Sequence, residues 1–159
     1  MNFERKCSVM GRKMKFGCLV KKGVAEVRER DLPEVGPYDV LLHMKVCNIC
    51  TTDYGQWLGL REHQGYPMAG GHEAAGIVEQ VGEKVGDMVA TGYEGCGHCP
   101  ACREGHIDQC EEIRNDTEDG YKWGFFGFSN YCVKNSSGVY KVANDLNPSE
   151  AGFMEPLAT

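Results

Sequence analysis

No stretch of this 159-residue chain approaches the roughly 20 apolar residues that a membrane-spanning helix needs. The start, from Met1 to Lys15, mixes charges with single apolar residues, so no secretory leader is expected and the cytoplasm is the expected compartment. There is no internal repeat, no low-complexity tract and no proline-rich linker that would mark a domain boundary. Basic charge is in deficit. Seventeen Lys and Arg stand against 23 Asp and Glu, and a net charge of −6 is a poor match for a phosphate backbone, which argues against a nucleic-acid partner. The deficit is also uneven. Nine Lys/Arg face three acidic residues up to Arg30, and eight face twenty thereafter, so the basic start reads as a solvated leader and first hairpin.

Apolar residues at 42% and charged residues at 25% are ordinary globular proportions, and a chain of this length can bury roughly 70% of its unfolded surface. The pattern is mainly β. Met14 to Val27 alternates through two segments around Lys21-Lys22-Gly23, the mark of a hairpin. Further strands are expected over Val40–Val46, Gly76–Gly82, Met88–Ala90, Phe128–Val133 and Val139–Val142, with a turn at Asn135–Gly138. Asn147-Pro148-Ser149-Glu150 is a helix start. The expected layout is a leader over residues 1–13, flexible, followed by one domain over 14–159.

Cysteine is what the chain has in excess. Nine of them, at 7, 18, 47, 50, 96, 99, 102, 110 and 132, form an odd set that argues against a disulfide framework. Cys96-x2-Cys99-x2-Cys102-x7-Cys110 places four soft thiolates within fifteen residues, the donor set of a closed, structural zinc site. An iron–sulfur cluster would use similar spacing, but the bacterial run has three residues before its last cysteine and a proline after it. Here there are seven, and Glu111 follows. His98 and His106 lie inside the lobe as bystanders, because four cysteines already complete a tetrahedron. Cys7, Cys18, Cys47 and Cys132 read as small core or surface residues.

A second group is spread more widely. Cys50-Thr51-Thr52-Asp53 and Gly71-His72-Glu73 together offer a thiolate, an imidazole and a carboxylate, enough for an open zinc site with a position left for substrate. A single His-Glu pair is weak by itself. In combination, Gly71-His72-Glu73-x2-Gly76-x5-Gly82-x2-Val85 resembles the signature of the zinc-dependent medium-chain alcohol dehydrogenases. Cys50-Thr51-Thr52-Asp53 resembles that family's Cys-Gly-Ser-Asp element, and the four-cysteine lobe is similar to its structural zinc loop. Gly86-Asp87-Met88-Val89 resembles its Gly-Asp-x-Val turn, and Glu155-Pro156-Leu157 the Glu-Pro-Leu element of its polyol and diol branch.

The resemblance implies a GroES-like, partly open β-barrel with short helices and a zinc lobe. It implies two zinc ions, one structural on Cys96, Cys99, Cys102 and Cys110, and one catalytic on Cys50 and His72. Glu73 and Glu155 would be the nearby carboxylates, one ligating directly and the other through water or by exchange. Thr52 would supply the hydroxyl that relays the substrate proton, and Asp53 would be the acceptor that fixes the imidazole of His72. Cys50, Thr52, His72 and Glu73 would thus carry the chemistry, with a small alcohol or polyol such as sorbitol or butanediol as substrate. The full-length enzyme would be a homo-oligomer.

Two departures qualify the match. Five residues after the zinc cysteine the family often has a proton-passing His, and this chain has Gly55; His63 is a substitute to test. The turn between Val81 and Asp87 is also shorter than usual. Nor is there a G-x-G-x-x-G after a strand, since Gly95-x-Gly97 falls inside the lobe. NAD or NADP is therefore expected only in the full-length enzyme, and the chain is expected to be an incomplete catalytic domain, inactive alone. The competing expectation is a stand-alone zinc-binding interaction module without enzymatic activity.

Overall fold

A computed structural model describes residues 11–62, 65–80, 86–96, 98–110, 120–121 and 124–158, without the side chains of Gln80 and Asp108. His63, Val81, Gly82, Val85 and Cys7 lie outside the described residues.

Strand β1 (Lys13–Lys21) alternates as its sequence does, with Met14, Phe16 and Cys18 buried and Lys13 and Lys15 turned out. It pairs antiparallel with β2 (Val24–Asp31), and the two form a hairpin of their own. Five further strands make one antiparallel sheet in the order β6-β3-β4-β5-β7. These are β3 (Asp39–Cys47), β4 (Ala74–Gln80), β5 (Met88–Thr91), β6 (Tyr131–Asn135) and β7 (Val139–Lys141). Strand β3 lies inside this sheet, and its Val40-Leu41-Leu42 run is buried at three consecutive positions, as expected where both faces are covered. Register shifts between Leu41 and Leu42 and between Met44 and Val46 bend it against β4, curling the sheet into a half-barrel.

The hairpin covers this curl. Gly17 N donates to Phe128 O at 2.7 Å, and Leu19 and Met68 exchange main-chain bonds of 2.9 and 2.8 Å. Phe16 meets Tyr121 and Phe126 edge-on, at centroid separations of 5.1 and 5.0 Å, in the main core with Met14, Leu41 and Leu42. Each such side chain contributes roughly 1.5–3 kcal/mol by burial.

The strands follow the sequence reading with shifts at several ends: β4 starts at Ala74, two residues before the expected Gly76, and β2 runs past Val27 to Asp31. β6 starts at Tyr131 rather than Phe128, because Ser129 Oγ lies 2.5 Å from Phe126 O and 2.6 Å from Tyr131 O and ties that segment into a bend. Ordered structure also begins inside the expected leader. Lys13 pairs with Asp31, while Arg12 reaches Glu79 at 3.3 Å and lies over the Tyr131 ring.

Among the described residues there are four short α-helices: α1 (Thr51–Trp57), α2 (Pro100–Arg103), α3 (Pro148–Ala151) and α4 (Met154–Ala158). Of these, only α3 was legible beforehand, through the Asn147/Glu150 capping box that starts it. Among the described residues no helix is long and apolar enough to cross a membrane. Phe153, Met154 and Leu157 stand exposed around α4.

Candidate metal centres

The lobe is built by its own backbone. Cys99 is the N-cap of α2, with Pro100 at the first helical position, and its thiol accepts the Cys102 N–H at 3.4 Å. The Cys96 sulfur accepts the Cys99 N–H at 3.2 Å, and the Cys110 sulfur accepts the Cys96 N–H at 3.3 Å. These main-chain donors orient the sulfurs within one short loop. Cys96 and Cys102 are separated by 3.9 Å between sulfurs, and Cys99 and Cys110 by 4.0 Å. Four Zn–S bonds of about 2.3 Å in a tetrahedron place sulfurs about 3.8 Å apart, so the donor set fits zinc. All four sulfurs lie within 4.8 Å of one another, and neither His98 nor His106 joins the cluster. His98 Nδ1 instead lies 2.8 Å from Cys96 O.

The second centre is assembled by the sheet. Cys50 follows β3 and caps α1, where its sulfur accepts the Thr52 N–H at 3.1 Å. His72 precedes β4, the neighbour of β3, and the pairing of Cys47 with Ala74 brings the two segments together. Gly71 makes the approach possible. Its φ is +89°, and a Cβ there would stand 2.7 Å from both the Cys47 sulfur and the Phe128 N. The outcome is Cys50 Sγ at 3.3 Å from His72 Nε2, across 22 residues of sequence. One Zn–S and one Zn–N bond at the tetrahedral angle require about 3.5 Å, so this pair also fits.

Two overlapping groups share His72. In one, ligand atoms of Cys50, Asp53 and His72 lie within 4.8 Å of one another; in the other, those of His72, Glu73 and Glu155 do. Among the described residues the four expected ligands do not close into one such group. Asp53 is buried, and its Oδ2 accepts the Cys50 N–H at 3.1 Å, completing the capping box of α1. That bond goes to the backbone of the residue carrying the thiol, while a carboxylate oxygen of Asp53 also lies within 4.8 Å of a ring nitrogen of His72.

Several residues around this centre carried no motif. Phe125 places its ring 5.6 Å from that of His72, and Tyr93 stands edge-on to Phe125 at 6.2 Å. Burial first, then the charges of Glu155 and Cys50, push the Tyr93 phenol above its ordinary range. The Cys47 thiol is driven far up by burial, with Asp53 and Glu73 adding to the shift, so it stays protonated. Gly55 is covered by Arg61, whose Nε would lie 3.2 Å from a Cβ there, so a larger side chain at that position would meet the arginine. The aromatic-glycine run Gly124-Phe125-Phe126-Gly127-Phe128 was the one available signal for Phe125. Nothing in the spacing marked Tyr93 or Arg61.

Comparison with known proteins finds relatives of this chain. Residues 36–144 match the family described as the alcohol dehydrogenase GroES-like domain. An alcohol dehydrogenase of Geobacillus stearothermophilus is 32% identical over 139 residues, covering 79% of this chain and 39% of that protein. An L-threonine 3-dehydrogenase of Pyrococcus furiosus is 32% identical over 167 residues, covering 97% of this chain and 44% of that protein. Among solved structures, galactitol-1-phosphate dehydrogenase from Escherichia coli superimposes with a TM-score of 0.73 at 27% identity, covering 90% of this chain and 42% of that one. The chain spans less than half the length of each of these relatives.

Proposed function

Because the chain belongs to the alcohol dehydrogenase GroES-like domain family, we propose that it is the zinc-binding catalytic domain of an NAD(P)-dependent dehydrogenase acting on alcohols or polyols. The observation that carries this reading is the 3.3 Å approach of Cys50 and His72, with Glu73 and Glu155 gathered about the same imidazole. Cys50 and His72 hold the catalytic metal, and one of the two glutamates completes the set. Cys96, Cys99, Cys102 and Cys110 hold the structural one. Zinc in the open site supplies Lewis acidity, lowering the pKa of a hydroxyl placed there.

The chain's own residues bind and orient. Asp53 locks the start of α1, so that the Cys50 thiolate is directed by a capped helix rather than a free loop. Thr52, two residues on, holds the hydroxyl that takes the substrate's proton. Gly55 has no side chain to carry that proton further, and the onward route lies elsewhere. Phe125 lies beside the His72 ring, and Tyr93 stands edge-on to Phe125, giving the site an aromatic side. The acceptor nicotinamide needs a phosphate-cradling turn at a helix N-terminus. No G-x-G-x-x-G run follows a strand in this sequence, and the chain spans less than half the length of the relatives compared above. A set of reduced thiolates fits the cytoplasm.

Metal analysis after purification under reducing, chelator-free conditions tests the reading. Two zinc equivalents per chain are expected, falling to one in Cys50→Ser. Iron with a visible chromophore, or no metal, sinks it. Titration with NADH should show no saturable binding to this chain, while the longer protein carrying it should oxidise sorbitol, butanediol or ethanol.

A further inference from the structure

Behind the open site the barrel holds a charge that the proposed chemistry does not use. Lys134 shares the inward face of β6 with Cys132 and is only 4% exposed. Its ammonium lies 2.5 Å from Glu94 Oε1, and Glu94 Oε2 accepts the Asn135 N–H at 3.0 Å. The seat for that carboxylate is purpose-shaped. Gly138 leaves room for it, since a Cβ there would stand 2.5 Å from Glu94 Cγ, and Ser137 Oγ bonds Gly95 on both its N–H and its carbonyl at 3.3 and 3.1 Å. The segment that carries Tyr93 into the lobe is therefore clamped to the β6–β7 turn through Glu94.

Buried ion pairs are poor stabilisers. An apolar pair of similar volume is often as stable or more so, and what an ion pair adds is a fixed geometry. Here the fixed geometry points at the metal residues. The Lys134 Nζ lies 5.3 Å from the centroid of the Phe125 ring, and that ring lies 5.6 Å from the His72 imidazole. We propose that Lys134 is a positioning residue for the open metal site: pinned by Glu94, its ammonium holds the Phe125 ring against His72 and keeps Nε2 aimed at the Cys50 sulfur. The attraction of a desolvated cation to a ring face is strong enough to select one ring orientation. An imidazole with one accessible rotamer loses less freedom on taking a metal. The inference rests on the reading of Cys50 and His72 as metal ligands.

The test is metal release from the zinc-loaded chain into excess chelator, together with the visible spectrum after cobalt substitution. In Lys134→Met the release phase assigned to Cys50 and His72 should quicken about tenfold, with a changed cobalt spectrum, while the lobe phase stays as in the wild type. Phe125→Leu should quicken the same phase alike, and Lys134→Met combined with Phe125→Leu should go no further than either. Lys134→Arg, keeping the cation, should restore release to within about twofold. If Lys134→Met folds poorly, Lys134→Met with Glu94→Gln removes both charges and should show the same fast phase. Unchanged release, equal quickening of both phases, or multiplying effects of the Lys134 and Phe125 changes would overturn the proposal. A wild-type chain holding a single metal that Cys50→Ser does not affect would overturn the reading beneath it as well.

Discussion

The two candidate metal centres, one of four thiols and one of mixed thiol, imidazole and carboxylate donors, are built in opposite ways. The lobe takes all its ligands from residues 96–110, and short-range N–H···S bonds orient the sulfurs. The open site takes its residues from the end of β3, the start of β4 and α4, and no local rule connects them. The first is a property of a loop, the second a property of a sheet. It follows that the lobe should resist disturbance of the barrel and the open site should report it.

The largest expected effect strikes the lobe. Cys99 is both a candidate ligand sulfur and the N-cap of α2, and Cys99→Ser keeps a capping oxygen but leaves three thiolates, so the loss falls on the metal. Structural zinc contributes about 10–16 kcal/mol of apparent local folding energy in small peptides. Even a fraction of that, some 3–5 kcal/mol, lowers the melting temperature by about 10 °C in a chain of this size. Calorimetry with metal analysis checks it; retention of the lobe metal would break the comparison at its firmer end.

Cysteines outside the lobe mark the contrast in another way. Cys132 is fully buried, and burial pushes its thiol up to about 11, with Lys134 pulling the other way. The pKa is raised in the folded state, so the neutral thiol's contribution is whole below the unfolded value near 9 and is lost as pH rises from 9 to 11. Two units correspond to at most about 2–3 kcal/mol. Cys132→Ala should therefore flatten the alkaline fall in stability across that window, whatever its cost at pH 7. An identical alkaline limb in both proteins would show that Cys132 does not titrate with unfolding.

Release kinetics sharpen the comparison directly. An open site with fewer protein ligands should give up zinc to a chelator at least about tenfold faster than four thiolates, a difference of about 1.4 kcal/mol at the barrier. Equal rates would mean that the open site is closed by a fourth protein ligand, with Asp53, Glu73 and Glu155 the groups near enough.

The same division explains what could be read from sequence. Four cysteines at fixed spacing needed no fold to be recognised, and alternation located β1, β2 and β4. Cys50 and His72 were found only because motifs mark them; their 3.3 Å approach depends on β3–β4 register and on Gly71. Phe125, Tyr93, Glu94 and Lys134 reach the site from segments with no motif. Lys134 in particular reads as a solvated strand residue until β6 turns its even positions inward. Helix α1 was missed for a simpler reason: its N-cap is a thiol, outside the Ser/Thr/Asp/Asn set that announces a helix, and Gly55 sits in its middle.

That thiol cap yields the smallest effect. Removing Cys50 should cost the catalytic metal whatever replaces it, but the helix depends on what acceptor is left. The sulfur takes the Thr52 N–H at 3.1 Å, while Asp53 returns the second bond of the box to the Cys50 N–H. Serine keeps an oxygen in that place and alanine keeps nothing, although Asp53 can still bond the backbone in both. With the open site stripped of metal and the lobe loaded, Cys50→Ser should lie within about 0.5 kcal/mol of the wild type, and Cys50→Ala about 1 kcal/mol below it. That is a separation of roughly 2–4 °C in melting temperature. Two variants melting together would show that Asp53 alone holds the start of α1, so that the Cys50 sulfur is free of structural duty and committed to the metal.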